Sequence, residues 1–129
     1  MMVFDFAVAR HTKGRWLLLH ATANFAVTAF ALVDFYRTFQ DPVNSCHAQE
    51  YSLIPVHGIA ALHLYHLIAF RNLSTDEWVH HLVFGGCICS VGCLFRSGPL
   101  QNFVAFFICG LPGGLDYLML FCVKQGILN

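Results

Sequence analysis

Apolar residues occur in four long runs that are separated by short polar segments. The runs cover residues 16–35, 52–70, 78–95 and 103–123. A helix of about 20 apolar residues is long enough to cross the roughly 30 Å hydrocarbon core of a bilayer. The pattern therefore predicts an all-α fold, a polytopic membrane helical bundle of about four transmembrane helices.

Residues that end or interrupt helices lie where these runs begin, end or change direction. Asp41-Pro42 is a turn signal between the first two runs. Ser74 lies before the third run, and Glu77 is three residues after Ser74. This is the spacing of a capping box. Pro112 stands among glycines in the fourth run, so we expect a kink or break there.

The composition agrees with a membrane protein. Of 129 residues, 57% are hydrophobic and 11% are charged, whereas an average soluble domain is about 25% charged. The net charge is zero with histidine neutral, so nothing favours nucleic acid as a partner. We expect one domain over residues 1–129, and residues 1–15 look like the tail of an earlier helix, which predicts a bundle truncated at its N-terminus.

Several histidines lie inside the apolar runs, where a polar group without a partner costs several kcal/mol. His20 and Asn24 are four residues apart in the first run, and they either pair with another helix or line a cavity. His63 and His66 share one face of the second run, whereas His57 is half a turn out of phase and should face elsewhere.

The start of the third run carries the pattern that we expect to form the site. Asp76 and His80 are four residues apart and share a helix face, and His81 is adjacent. A carboxylate in this position could orient an imidazole and favour its charged form. We predict His80, His81 and Asp76 as catalytic residues and assign Glu77 to helix capping.

Three further residues could line the same cavity from neighbouring helices. They are His63 and His66 in the second run and Asp116 in the fourth, after the interruption at Pro112. Ionisable groups near a broken membrane helix often mark a binding site. We predict that these three residues bind the substrate.

The histidines are compatible with three functions. A histidine pair could act as a general base or as a covalent carrier in acyl transfer. Imidazole also suits iron or zinc, and the chain has eight histidines, the number typical of membrane di-iron enzymes that oxidise lipid chains. However, the His-x-x-His-His repeat of those enzymes does not occur, so we predict no metal ligand and no cofactor. The third alternative is a scaffold subunit of a membrane assembly.

At Asp76 and His80-His81, with Asp116 further on, the chain resembles the TLC-domain membrane proteins, the superfamily that includes the ceramide synthases. The resemblance implies a TLC-like bundle over residues 16–124. In the synthases, paired histidines and nearby aspartates are needed to join a fatty acyl group from acyl-CoA to a sphingoid base. It therefore implies that His80 and His81 match the pair, that Asp76 matches the preceding acid and that acyl-CoA is a co-substrate.

Two features depart from the synthases. Residues Leu82-Val83-Phe84-Gly85 follow the pair where the synthases carry a threonine, and the family usually has more spans. The chain looks closer to the TLC proteins that act in membrane lipid composition or trafficking. We therefore predict a protein that acts on or binds membrane lipids, either in acyl transfer or in lipid binding and homeostasis, with other membrane subunits or a second copy as further partners.

The basic residues predict an orientation. Five of them lie on the side of the membrane that holds the N-terminus: Arg10, Lys13, Arg15, Arg71 and Lys124. The other two, Arg37 and Arg96, lie on the opposite side. Positive charge is retained on the cytoplasmic side. We expect both termini and the His80-His81 end to face the cytoplasm, in the endoplasmic reticulum or another organelle membrane.

Overall fold

The computed structural model describes residues 1–48 and 50–129, and these residues contain helices and no strands. The helices are α1 (Met2–Ala7), α2 (Arg15–Gln40), α3 (Pro42–Ser45), α4 (Ile54–Ala69), α5 (Thr75–Leu94) and α6 (Pro99–Gln125). A single 3-10 turn, Ala9–His11, lies between α1 and α2. The predicted all-α class is confirmed.

Three helices are long and apolar enough to cross a membrane. They are α2, α5 and α6, with 26, 20 and 27 residues. The remaining apolar helix, α4, has 16 residues and is therefore roughly 24 Å long at 1.5 Å per residue. Pro55 lies in its first turn and Phe70 ends it in an extended conformation. Three predicted spans are confirmed by length and composition, and the fourth crossing stays a prediction.

Helix α2 continues further than the apolar run that predicted it. The run ends at residue 35, but the helix reaches Gln40, because the chain has no helix-ending residue before Asp41-Pro42. The residue before a proline is disfavoured in the helical region. Asp41 then caps α3, since its carboxylate oxygen Oδ1 accepts a hydrogen bond from the backbone N–H of Asn44 at 3.1 Å.

The capping box predicted before the third span is confirmed. The Ser74 hydroxyl accepts from the backbone N–H of Glu77 at 3.3 Å, and a Glu77 carboxylate oxygen accepts from the backbone N–H of Ser74 at 2.7 Å. These two bonds satisfy donors that the first helical turn leaves unpaired. Helix α5 therefore begins at Thr75, three residues before the apolar run.

Two π-helical segments interrupt the regular hydrogen bonding of the long helices. One covers His81–Ile88 in α5, and the other covers Phe106–Gly110 in α6. The second segment immediately precedes Leu111–Gln125, which has Pro112 in its first turn. Because proline lacks an N–H and clashes with the carbonyl four residues earlier, a wider turn lets α6 continue past it. The irregularity predicted at Pro112 is thus a π-helical turn within a continuous helix.

The four long helices surround a common interior with α2 at its centre. Helix α2 packs along α4 on one side and along both halves of α6 on the other, and α5 packs on α4. Its buried face includes three alanines, Ala21, Ala23 and Ala31, which allow close approach. The backbones of α5 and α6 have few close approaches, and the Gln101 side chain of α6 lies against Gly92 of α5.

The outward faces of the bundle are apolar. In the most apolar 18-residue stretch of each helix, 11% of the residues of α5 and 17% of those of α6 are buried inside the protein. Phenylalanine, leucine and isoleucine side chains such as Leu94, Ile108 and Ile68 remain exposed. Exposed apolar area of this extent is unusual in a water-soluble domain. It is the surface expected of a protein that faces lipid.

A polar junction joins three segments at the end of α2. Asp34 is 2% exposed, and its Oδ2 accepts hydrogen bonds from the Asn102 amide at 2.6 Å and from the Ser52 backbone N–H at 3.1 Å. The Asn102 amide also donates to the Ser52 carbonyl at 2.7 Å. Nη1 of Arg37 lies 3.4 Å from Oδ1 of Asp34. The junction fixes α2, the start of α6 and the residues before α4 relative to one another.

A second polar contact anchors the N-terminal segment at the opposite end of α2. Arg15 forms an ion pair with Asp5, and its Nε donates to Asp5 Oδ1 at 2.7 Å. The Tyr65 hydroxyl of α4 donates to Asp5 Oδ2 at 2.5 Å. Hydrogen bonding from Arg15 lowers the pKa of the Asp5 carboxyl below 3.8, although burial opposes this. Residues 1–15 thus dock onto α2 and α4.

Replacing Asn102 with alanine should destabilise the bundle. The substitution removes both donated hydrogen bonds and leaves the buried Asp34 carboxylate with one fewer donor. We expect a loss of about 1–3 kcal/mol in the free energy of unfolding, measured by denaturant titration of the detergent-solubilised protein. Asn72→Ala is the control, because Asn72 is exposed. Equal stability of the two variants would contradict a structural role for the junction.

The Asp5 contact should make stability depend on pH. Because the pKa of Asp5 is lower in the folded chain, its ionised form stabilises the fold above the ordinary value of 3.8, and the contribution is lost as the pH falls through the folded pKa. In Asp5→Asn this part of the acid dependence should disappear from melting curves. Asp76→Asn, which alters an exposed carboxylate, should keep the dependence. An unchanged acid profile in Asp5→Asn would contradict the assignment.

Candidate functional site

Five of the eight histidines converge inside the bundle. His20 comes from α2, His63 and His66 come from α4, and His80 and His81 come from α5. All but His80 are buried, with exposed fractions of 8% or less. We call these five residues the histidine cluster. It lies towards the end of α2 that carries Arg15, away from the Asp34 junction.

The rings of the cluster are in direct contact. His63 contacts both of the paired histidines, with ring centres 5.3 Å from His80 and 5.1 Å from His81. The ring centre of His66 lies 4.3 Å from that of His81 and 5.1 Å from that of His20. The contacts link three helices through imidazoles alone.

Backbone hydrogen bonds fix the proton position on two of the rings. Nδ1 of His20 lies 2.8 Å from the Trp16 carbonyl, and Nδ1 of His63 lies 2.8 Å from the Ile59 carbonyl. A carbonyl oxygen only accepts, so each Nδ1 must carry the hydrogen and donate it. In the neutral ring, Nε2 then keeps an unshared electron pair. Both residues can therefore act as proton acceptors or as metal ligands through Nε2.

Two other rings have buried nitrogen atoms without a hydrogen-bond partner. Within the part of the chain that the structure describes, these atoms are Nδ1 of His66 and Nδ1 of His81. An unpaired polar atom in an apolar interior costs roughly 1–3 kcal/mol, and such atoms are uncommon in folded proteins. The cluster therefore has unused capacity to bind a further group.

A glycine lets α5 approach the cluster. A side-chain carbon at Gly85 would clash with Cβ of His63 and lie 2.9 Å from its Cγ. The neighbouring Gly86 has nothing within 4 Å of the same position. Gly85 therefore permits the close packing of α5 on α4 that brings His80 and His81 against His63.

The cluster forms the polar end of a cavity between the four long helices. The cavity has a volume of about 290 Å³, at the lower end of the range for ligand pockets, roughly 300–1,000 Å³. Its polar end includes His20, His63, His80, Asn24 and Tyr117. The rest of the wall is mainly apolar and includes Leu62, Phe84, Ile88, Val104 and Ile108. The shape and polarity suit a molecule with an apolar chain and a polar group at one end.

The predicted histidines come together, but the predicted aspartates do not join them. Asp76 and Asp116 have exposed side chains and are absent from the cavity wall. Among the described residues, no ion pair or hydrogen bond connects either one to a histidine of the cluster. Asp76 lies in the first turn of α5, where its charge favours the helix dipole. His57 is exposed and faces away from the cluster, as predicted.

Two aromatic residues at the site were not identified from the sequence. Tyr117 contacts His20 with ring centres 4.7 Å apart, and Trp16 contacts His20, His66 and Tyr117 at 5.6, 6.2 and 5.8 Å. Tyr117 is four residues after Gly113, another residue of the cavity wall, so helix phase could have identified it. Trp16 is four residues before His20 and shares its face in the same way.

The ring nitrogens could also hold a metal ion. His63, His80 and His81 each offer one nitrogen atom, and these three atoms lie within 4.8 Å of one another.

Comparison with known proteins finds no matching protein-family model, no matching curated protein and no matching solved structure. The resemblance to TLC-domain proteins therefore stays a prediction.

Alanine substitutions at the two adjacent glycines should have opposite effects on stability. Alanine is favoured over glycine in a helix by up to about 1 kcal/mol, so Gly86→Ala should be neutral or stabilising. Gly85→Ala should destabilise by about 1–3 kcal/mol, because its methyl group pushes against His63. Thermal melting in detergent measures both variants. The packing of α5 on α4 described above would be contradicted if Gly85→Ala melted at or above the wild-type temperature.

Proposed function

We propose that the protein binds a membrane lipid in the cavity and transfers an acyl group to it, with acyl-CoA as the donor. The observation that carries the proposal is the form of the cavity, which has three histidines of the cluster, His20, His63 and His80, on its wall and mainly apolar residues on the rest, with Gln101 as a further polar group. An acyl chain fits the apolar part, and its reactive head group then lies beside the imidazoles. A cavity of this kind supports lipid binding over a purely scaffolding role.

His80 is the proposed general base. It is the cluster residue with an exposed side chain, and it also lines the cavity, so a substrate can reach its ring. A hydroxyl or amine of the lipid would attack the thioester carbonyl carbon and give its proton to the imidazole. The bond from carbon to sulphur then breaks, and the proton passes to the leaving thiolate. General acid–base catalysis of this kind contributes typically 10²–10⁴-fold to a rate.

The other imidazoles of the cluster position the base. His81 lies against His80 with ring centres 5.2 Å apart, and His63 stacks on His80 at 5.3 Å. The hydrogen bond from His63 to the Ile59 carbonyl orients the His63 ring, as an orienting acceptor does for a catalytic histidine. In the proposed site His66 lies behind the cavity wall, where it packs on His20 and His81, whereas Asp76 and Asp116 have no part in the reaction.

The proposal includes the cellular setting implied by the resemblance to TLC-domain proteins. Membrane lipids are the proposed partners, and the endoplasmic reticulum or another organelle membrane is the proposed location. Other membrane subunits or a second copy of the chain could complete the bundle, because most of the surface of α5 and α6 is exposed. A role in lipid composition follows from the same chemistry.

The reaction can be tested with the full chain reconstituted in phospholipid vesicles that contain a sphingoid base. Incorporation of labelled acyl-CoA into lipid should fall at least 100-fold in the double variant His80→Ala, His81→Ala, because the base is lost. His57→Ala alters an exposed histidine of α4 and should retain wild-type activity. Unchanged incorporation in the double variant, or none in the folded wild-type protein, would overturn the proposal.

A further inference from the structure

We infer that His63, His80 and His81 form a binding site for a single zinc-type divalent metal ion, with an open coordination position towards the cavity. The inference concerns binding and does not depend on the proposed acyl transfer, in which His80 acts as a base with its ring nitrogen free of metal. It starts from the spacing of the three ring nitrogens, all within 4.8 Å of one another. Three nitrogens around tetrahedral zinc, each about 2.0–2.1 Å from the ion, lie roughly 3.3 Å apart. An ion bound by all three residues would draw the nitrogens closer together through side-chain rotation.

The hydrogen bonding of His63 is that of a metal ligand. A ligating histidine almost always donates its other ring N–H to a carboxylate, a carbonyl or water, which fixes the ring and its free nitrogen. Nδ1 of His63 donates to the Ile59 carbonyl at 2.8 Å. Its Nε2 is therefore the unprotonated nitrogen, available for coordination.

The surroundings of His81 also indicate a missing partner. The residue is 3% exposed, and its Nδ1 has no hydrogen-bond partner among the described residues. Its ring lies against His63, His66 and His80, at 5.1, 4.3 and 5.2 Å. Neighbouring imidazoles repel one another when charged, so protonation does not relieve the crowding. A cation that is bound by several unprotonated ring nitrogens does relieve it.

The ligand set selects the class of metal. All three ligands are neutral imidazoles, and no carboxylate lines the cavity. Calcium and magnesium require oxygen ligands, whereas imidazole suits zinc, copper, iron and nickel. Three protein ligands with a fourth position left open are typical of catalytic zinc sites. His63 and His80 both line the cavity, so the open position faces the place where a substrate would bind.

The site can be tested by metal binding alone. The full chain is purified in detergent with an affinity tag free of histidine, stripped with a chelator, and titrated with Zn²⁺ and with Co²⁺ as a spectroscopic probe. We expect one equivalent of Zn²⁺ per chain and a Co²⁺ absorption spectrum typical of four-coordinate geometry. Absence of stoichiometric binding to the folded wild-type chain would overturn the inference.

Matched histidine variants locate the ion. His80→Gln should bind Zn²⁺ at least tenfold more weakly, and it should still fold, because the His80 side chain is exposed. His63→Gln should lose binding in the same way and also change the Co²⁺ spectrum. His57→Gln removes a histidine from the same helix as His63 but outside the cluster, and it should bind as the wild type does. Wild-type affinity in His80→Gln, or an equal loss in His57→Gln, would overturn the assignment of the ligands.

Discussion

A polar side chain buried in an apolar bundle has to find its partner on another segment, and this requirement fixes how the long helices are arranged. Asp34 meets Asn102 and the Ser52 backbone at one end of α2, and Asp5 joins Arg15 to Tyr65 at the other. Because unpaired polar groups cost several kcal/mol in hydrocarbon, other registers of α2, α4 and α6 would leave these carboxylates exposed to an apolar environment. The centre of the bundle is thereby defined from both ends.

Helix α5 is held differently. Within the described residues, no side-chain hydrogen bond or ion pair links α5 to another long helix. It packs on α4 through the close contact at Gly85 and through the rings of His80 and His81, and it scarcely contacts α6. The site is therefore one attachment of α5 to α4, and the packing of Cys89–Leu94 on α4 is the other. A molecule or ion bound among the histidines would join α5 to the rest of the bundle, so binding should be coupled to the position of this helix.

Local signals in the sequence were sufficient for most of the fold and for part of the site. The apolar runs predicted α2, α5 and α6, and Ser74 with Glu77 predicted the start of α5. His63, His66, His80 and His81 were chosen because they lie in apolar runs, and they do converge. The exposed positions of Asp76 and Asp116 were not predicted, since spacing alone does not show which helix face meets a neighbour. The contact of Asp34 with Asn102 joins residues 68 positions apart, so no local pattern could reveal it.

The absence of carboxylates from the cavity constrains what can happen at the histidines. Glu77, one turn before His81, has its Oε2 occupied by the Ser74 hydroxyl and backbone. A base that takes up a proton here gains a positive charge, and no acidic partner lies on the described cavity wall. A bound divalent ion would bring two positive charges. In a low-dielectric site such a charge needs a counter-charge nearby. The Glu77 carboxylate keeps its negative charge while it accepts these bonds, and an oxyanion, a thiolate or a phosphate of the bound molecule can add to it. Acyl transfer and metal binding therefore both favour occupants of the cavity that are anionic where they meet the histidines.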